Sequence, residues 1–187
     1  KKLDIYIKFF ANTIHQNNIN LICCDYRGYG HSTGNPLCSN LMDDALKIFR
    51  FIKTYLKDKQ YSDDLFLMGR SLGSASVAHI CNHEAQNING LIIESGFCSE
   101  ESLFKLFQIN PSTINYKDSS DGFDNQTKIA NYYGPLLIIH ATDDHILPFT
   151  EGKLLHKTCP SNNKEFVKIE QANHPHEHEK QLSILQL

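Results

Sequence analysis

The sequence lacks a basic excess: its 187 residues hold 18 Lys and Arg against 21 Asp and Glu, a formal net charge of -3 with the ten histidines neutral. A nucleic-acid surface needs clustered cations to displace counterions from phosphates, so DNA or RNA binding is excluded as the main role. Long apolar runs are missing too. The longest, residues 136–139 and 91–93, are strand-sized and far below the ~20 residues that span a bilayer, so this segment contains no membrane span. No CxxC pair occurs among the six cysteines, Cys23, Cys24, Cys38, Cys81, Cys98 and Cys159, and two of them are adjacent inside an apolar run. That placement argues against a disulfide framework and for thiols packed as small core hydrophobes in a reducing, cytoplasmic compartment. Internal repeats, low-complexity tracts, linkers and an initiator Met are absent as well, and residues 1–10 pattern as an amphipathic helix and not as a signal peptide.

What is present suits one folded domain. Apolar residues make up 41%, aromatics 10% and charged residues 21%, enough side-chain volume for a core and too little charge for a disordered chain. Leu3, Ile7, Phe10 and Ile14 place a helix over residues 1–17. A short buried strand follows at 19–24, then a Gly-rich turn at 25–36. Ser39 or Asn40 caps the next helix, whose apolar stripe is Ala45, Ile48, Ile52 and Tyr55. Strand signals at 65–68, 90–93, 135–139 and 165–169 alternate with helices at 72–86 and 149–158, and a last helix falls near 178–187. Continuous apolar strands separated by helices predict the α/β class: a mostly parallel sheet flanked by helices on both faces. The connection 95–134 lacks a clear pattern apart from a short helix suggested by Leu103, Phe104, Leu106 and Phe107, and connections of that length act as lids.

The strongest chemical signal is Gly69-Arg70-Ser71-Leu72-Gly73, a GxSxG set between a strand and a helix. Such a nucleophile elbow turns sharply and lifts the serine hydroxyl above the sheet edge. It also aims the first helical amides, Leu72 N–H among them, at the place where an oxyanion forms. A serine becomes nucleophilic only beside a base that a carboxylate orients. Asp143 and Asp144 follow the strand at 135–139, and His174 follows the strand at 165–169, giving the chain order Ser, acid, His. His174, His176 and His178 form an HxHxH row without a Cys or carboxylate set at ligand spacing, so no metal is expected, nor any cofactor. Gly28, Gly30 and Gly34 follow a strand, but Pro36 and a polar stretch delay the helix that a dinucleotide site requires. Asp25 and Arg27 are expected to hold that turn together by hydrogen bonds. Asn125-Gln126-Thr127 is a sequon of the kind an Asn-rich chain carries by chance.

The segment Asp25-Tyr26-Arg27-Gly28-Tyr29-Gly30-His31-Ser32-Thr33-Gly34-Asn35-Pro36 resembles the DYRGYGxSxGxP motif of α/β-hydrolase serine hydrolases of the serine aminopeptidase-like branch, which is related to protein depalmitoylases. GRSLG at 69–73, IIESGF at 92–97, Gly122-Phe123-Asp124-Asn125 with Lys128-Ile129, and LIIHATDD from Leu137 match the same group in the same order, over about residues 19–180. The resemblance implies Ser71 as nucleophile, His174 as general base and acid, and Asp144, four residues before Pro148, as the orienting acid. Asp143 competes closely for that role, and Glu94 is a remote alternative. Ala141 stands where the group usually has Gly, and Pro175-His176 where it has Asn-Asp; both alter loop geometry near a catalytic group.

In that fold a strand ending in an HG-type loop supplies the second oxyanion amide, and here it would precede Lys1. The expectation is therefore a C-terminal portion of a longer hydrolase that lacks its N-terminal strands, with Leu72 N–H the one oxyanion donor in view. The activity implied is acyl-enzyme cleavage of an ester, thioester or amide in a small molecule or an acylated protein. The competing expectation is a binding or scaffold protein on a decayed hydrolase fold. Phe97, Leu103, Phe104, Phe107 and Phe123 are expected in the core or lid packing ahead of an acyl pocket.

Overall fold

The computed structural model describes residues 16–35, 37–62, 64–108, 110 and 122–174. Among the described residues four segments form strands β1 (Phe66–Arg70), β2 (Gly90–Glu94), β3 (Leu136–Ala141) and β4 (Lys164–Ile169). They pair in parallel in the order β1-β2-β3-β4, with Leu67 opposite Leu91, Ile93 opposite Ile138, and Ala141 opposite Ile169. Among the described residues these α-helices accompany them: α1 (Cys38–Asp58), α2 (Gly73–Glu84), α3 (Glu100–Phe107), α4 (Asn125–Ile129) and α5 (Phe149–Thr158).

The period-two alternation of the strands sorts the core. Leu91, Ile93, Leu136 and Ile138 point to one face, where they pack with Val77, Ile80 and Cys81 of α2, Phe49 of α1, Ile129 of α4 and Leu155 of α5. Ile139, Ala141 and Ile169 point to the other face, with Ile92, Leu137 and Val167 half-buried beside them. Among the described residues no helix covers this second face. The helices expected at 1–17 and 178–187 lie outside the described residues but for residues 16 and 17, as do His176 and His178.

Several expectations are corrected. Residues 19–24 form no strand; Ile19, Leu21 and Ile22 are 59%, 45% and 45% exposed. A strand exists through its ladder, and among the described residues β1 pairs only with β2, so nothing lies beside 19–24 to hold it. Cys81, Cys98 and Cys159 are core residues, whereas Cys23 and Cys24 sit on this solvated stretch. The buried stripe of α1 is Leu41, Met42, Ala45 and Phe49, rotated from the expected one; Ile48 and Ile52 are half-buried and Tyr55 is exposed. Helix α1 starts at Cys38 after an extended Leu37, with no side-chain cap.

The Gly-rich turn is tied differently from expectation. Asp25 does bond within it, accepting from His31 N–H at 3.3 Å and, through its carbonyl, from the Ser32 hydroxyl at 3.0 Å. Arg27 instead reaches out to α1, donating to both carboxylate oxygens of Asp44 at 2.9 and 2.6 Å. Gly30, at φ +54°, has to be glycine: a Cβ there would fall 2.1 Å from the Asp25 carboxylate.

Candidate active site

Each strand ends at the same edge of the sheet, the carboxyl edge where open α/β sheets place their ligands. Ser71 follows β1 directly, at φ +50°. The left-handed turn is held from three sides. Ser71 N–H donates to Glu94 O at 3.0 Å, while Ser71 O accepts from Ser74 N–H at 2.9 Å and from the Ser74 hydroxyl at 2.7 Å. Gly69 makes room for the turn, since a Cβ there would stand 2.4 Å from Gly73 O and 2.5 Å from Val77. Leu72 has helical dihedrals, φ -52° and ψ -33°, so its N–H belongs to the first helical amides that a helix cannot satisfy internally.

Asp144 and His174 meet. His174 Nδ1 lies 2.7 Å from Asp144 Oδ2, and both side chains are buried. The other carboxylate oxygen accepts from Ile146 N–H at 2.9 Å and Leu147 N–H at 2.7 Å. Burial works to raise the Asp144 pKa, but the bonds from His174, Leu147 and Ile146 outweigh it and hold the group below its usual range. A carboxylate only accepts, so the His174 proton in this bond sits on Nδ1. Asp143 is exposed, and its N–H bonds to Ala172 O at 3.0 Å.

The two loops are fastened to each other. Thr142 N–H donates to Ile169 O and Gln171 N–H to the Thr142 hydroxyl, both at 3.0 Å. Asn173 Oδ1 accepts from His174 N–H at 2.6 Å and His145 N–H at 3.2 Å and also meets His145 Nδ1. Asn173, which spacing did not single out, thus couples the acid loop to the histidine loop. Ala141, in the position of an expected Gly, continues the ladder opposite Ile169 and has no positive φ.

Glu94 bridges the two halves of the edge. Its carbonyl holds Ser71. Its carboxyl is raised in pKa by burial, against the opposing pull of the Arg70 and His174 charges. The Arg70–Glu94 pair, at 3.8 Å, closes the last register position of β1 and β2.

An apolar cluster adjoins the site: Leu41, Met42, Ala75, Phe97 and Leu147, with Leu72, Leu103, Phe123 and Ile146 half-buried against them. Phe97 and Phe123 meet edge to face at 5.9 Å. Phe97 is a core residue as expected, and Leu103 and Phe123 border both core and site. Asn125, the sequon residue, is fully buried and donates to Phe97 O at 2.9 Å and to the Ser74 hydroxyl at 3.4 Å. In the folded chain it braces the elbow helix, and its amide is closed to a glycosyl group. Among the described residues there is no group of metal-ligating side chains and no helix long and apolar enough to cross a membrane.

Comparison with known proteins gives consistent matches. The profile of the family described as serine aminopeptidase, S33, matches residues 3–114. The lysophosphatidylserine lipase ABHD12 of Xenopus tropicalis is 31% identical over 170 residues, covering 80% of this chain and 42% of that protein. The α/β hydrolase domain-containing protein aho-3 of Caenorhabditis elegans is 28% identical, covering 78% and 41%. The chain thus spans about two-fifths to half the length of the curated relatives it matches. Among solved structures, Est1E from Butyrivibrio proteoclasticus with bound ferulic acid superposes with a TM-score of 0.76 at 20% identity, covering 96% of this chain and 78% of that one. A monoacylglycerol lipase from Paleococcus ferrophilus gives 0.68 at 18% identity, covering 95% and 87%. The fold is that of the α/β-hydrolases.

Proposed function

The chain belongs to the serine aminopeptidase S33 family, and from that membership we propose that it is a serine hydrolase cleaving an ester, thioester or amide through an acyl-enzyme. Ser71 is the nucleophile, His174 the general base and acid, Asp144 the orienting acid, and Leu72 N–H one oxyanion donor. The observation that carries the assignment is the buried 2.7 Å bond between His174 Nδ1 and Asp144 Oδ2, at the sheet edge where Ser71 stands in a left-handed turn.

The steps follow from that bond. With Nδ1–H committed to Asp144, Nε2 is the ring nitrogen that takes the Ser71 proton as Oγ attacks the carbonyl carbon. The oxyanion that develops is stabilised by the Leu72 amide and the partial positive charge of the α2 N-terminus. Imidazolium then returns its proton to the leaving alcohol, thiol or amine. Water, deprotonated by the same nitrogen, releases the acid and restores Ser71.

For the substrate, the relatives named as a lysophosphatidylserine lipase and a monoacylglycerol lipase both act on lipids, and an apolar cluster flanks Leu72 here. Single-chain fatty acyl esters are therefore the first class to assay; of the lid-like segment expected at 95–134, residues 109 and 111–121 lie outside the described residues, and Phe97, Asn125 and Ile129 belong to the core. The test is pre-steady-state hydrolysis of a p-nitrophenyl ester by the full-length protein. A burst of p-nitrophenolate matching the enzyme concentration, abolished by Ser71→Ala, is expected. Unchanged hydrolysis by Ser71→Ala would contradict the proposal.

A further inference from the structure

His140 is the next-to-last residue of β3 and takes no part in the steps above, yet it touches the acid loop. Its ring is fully buried against Gly152, where a Cβ would fall 2.5 Å from Nδ1, and edge-on to Phe149 with centroids 6.0 Å apart. Nε2 lies 2.9 Å from Leu147 O and 3.6 Å from Asp144 Oδ2, the oxygen that holds His174. Nδ1 has no partner among the described residues.

The tautomer follows from these contacts. A carbonyl oxygen only accepts, so Nε2 carries the proton, and Nδ1 keeps its lone pair where it faces Gly152. Leu147 is then fixed at both polar atoms: its N–H is held by Asp144 Oδ1 and its C=O by His140. The carboxylate cannot swing without breaking a bond that His140 locks from behind.

We propose that His140 is a positioning residue: its neutral Nε2–H anchors the Leu147 carbonyl, closes the Asp144–Leu147 turn and aims Asp144 Oδ2 at His174. This rests on the assignment of Asp144 and His174 made above. The charged and titratable groups around the ring are Asp144, His174 and Glu151, and burial keeps the imidazole neutral among them. A protonated ring would compete with His174 as the ion partner of one carboxylate.

The side chains of Gln and Asn separate this role from simple filling of space. A Gln amide nitrogen reaches the place of Nε2 and can donate to Leu147 O. An Asn amide reaches only the place of Nδ1, where no acceptor stands, and Phe fills the volume with no donor. Turnover of p-nitrophenyl butyrate by the full-length protein, per active site counted by fluorophosphonate titration, is measured for His140→Gln, His140→Asn and His140→Phe. Misplacement of a catalytic group by about 1 Å costs on the order of 100-fold, so Asn and Phe should lower kcat by roughly that factor with KM little changed. Gln should keep most of it.

Equal kcat per titrated site in all three variants and wild type would overturn the proposal, as would a Gln variant no better than Asn. Should the Phe variant fail to fold, the Gln and Asn pair decides. Asp144→Asn serves as the control. If it turns over like wild type, the acid lies elsewhere and both assignments fall; if it is inactive while the His140 variants are normal, only the role of His140 falls.

Discussion

Two histidines outside the proposed triad, His140 in the core and His156 half-buried, give the molecule a pH signature. Burial pulls the His140 imidazole below its ordinary range, against the pull of Leu147 O and Asp144, and it does the same to His156, where the Lys164 charge adds to the effect. Both groups are neutral in the fold, so the unfolded chain binds more protons once the pH drops below ~6.5, the ordinary histidine value. Their contribution to stability is complete above that pH and is lost as pH falls through the depressed folded-state values. Asp144 has the same sign but acts lower, its contribution being present above ~3.9 and lost as pH falls through its own lowered value. His140→Gln removes one of the two histidine contributions. Urea midpoints measured from about pH 7 to pH 5 should fall less steeply in that variant than in wild type; parallel slopes would contradict this account.

At the same scale, spacing singled out Ser71, Asp144 and His174 because each follows closely on a strand end. It left Asp143 and Asp144 open, and burial separates them: Asp144 is enclosed and bonded to His174, while Asp143 faces solvent. Asn173, His140 and Asn125 were not identified as parts of the site. Their partners are 28, 7 and 51 residues away in the chain, so their roles come from loop closure and not from local pattern.

Elements show a similar division. The four strands are evident in the sequence within two residues because each carries apolar residues bounded by turn or helix signals. Residues 19–24 have the same composition but no ladder partner, and composition cannot supply one. Helix α4 is a single turn too short for periodicity. Its one local signal is Asp124, whose side chain accepts from Thr127 N–H at 3.1 Å. In α1 the apolar residues are spread around the helix, so the stripe is ambiguous until the sheet selects a face. Phe49 is 2% exposed in the main core, whereas Phe51 is 69% exposed and stacks on Tyr55. Phe49→Ala should therefore cost about 3–5 kcal/mol in chemical denaturation, and Phe51→Ala less than about 0.5 kcal/mol. Comparable losses for the two would mean that α1 presents a different face.

For the whole molecule, the parallel sheet brings residues from three distant segments to one edge, and that convergence is what a family resemblance alone could not supply. The family profile covers Ser71 but ends at residue 114, before the acid and the histidine; their pairing is a property of the fold. The central claim is that Ser71 is activated by His174 and Asp144. Its most direct test is the rate at which a fluorophosphonate labels the full-length protein, with the adduct located by peptide mass spectrometry. The account predicts an adduct on Ser71, formed about 10⁴-fold more slowly in Asp144→Asn and at least as slowly in His174→Ala, but at a wild-type rate in Asp143→Asn. An adduct elsewhere, or a Ser71 adduct forming equally fast without His174, would contradict it.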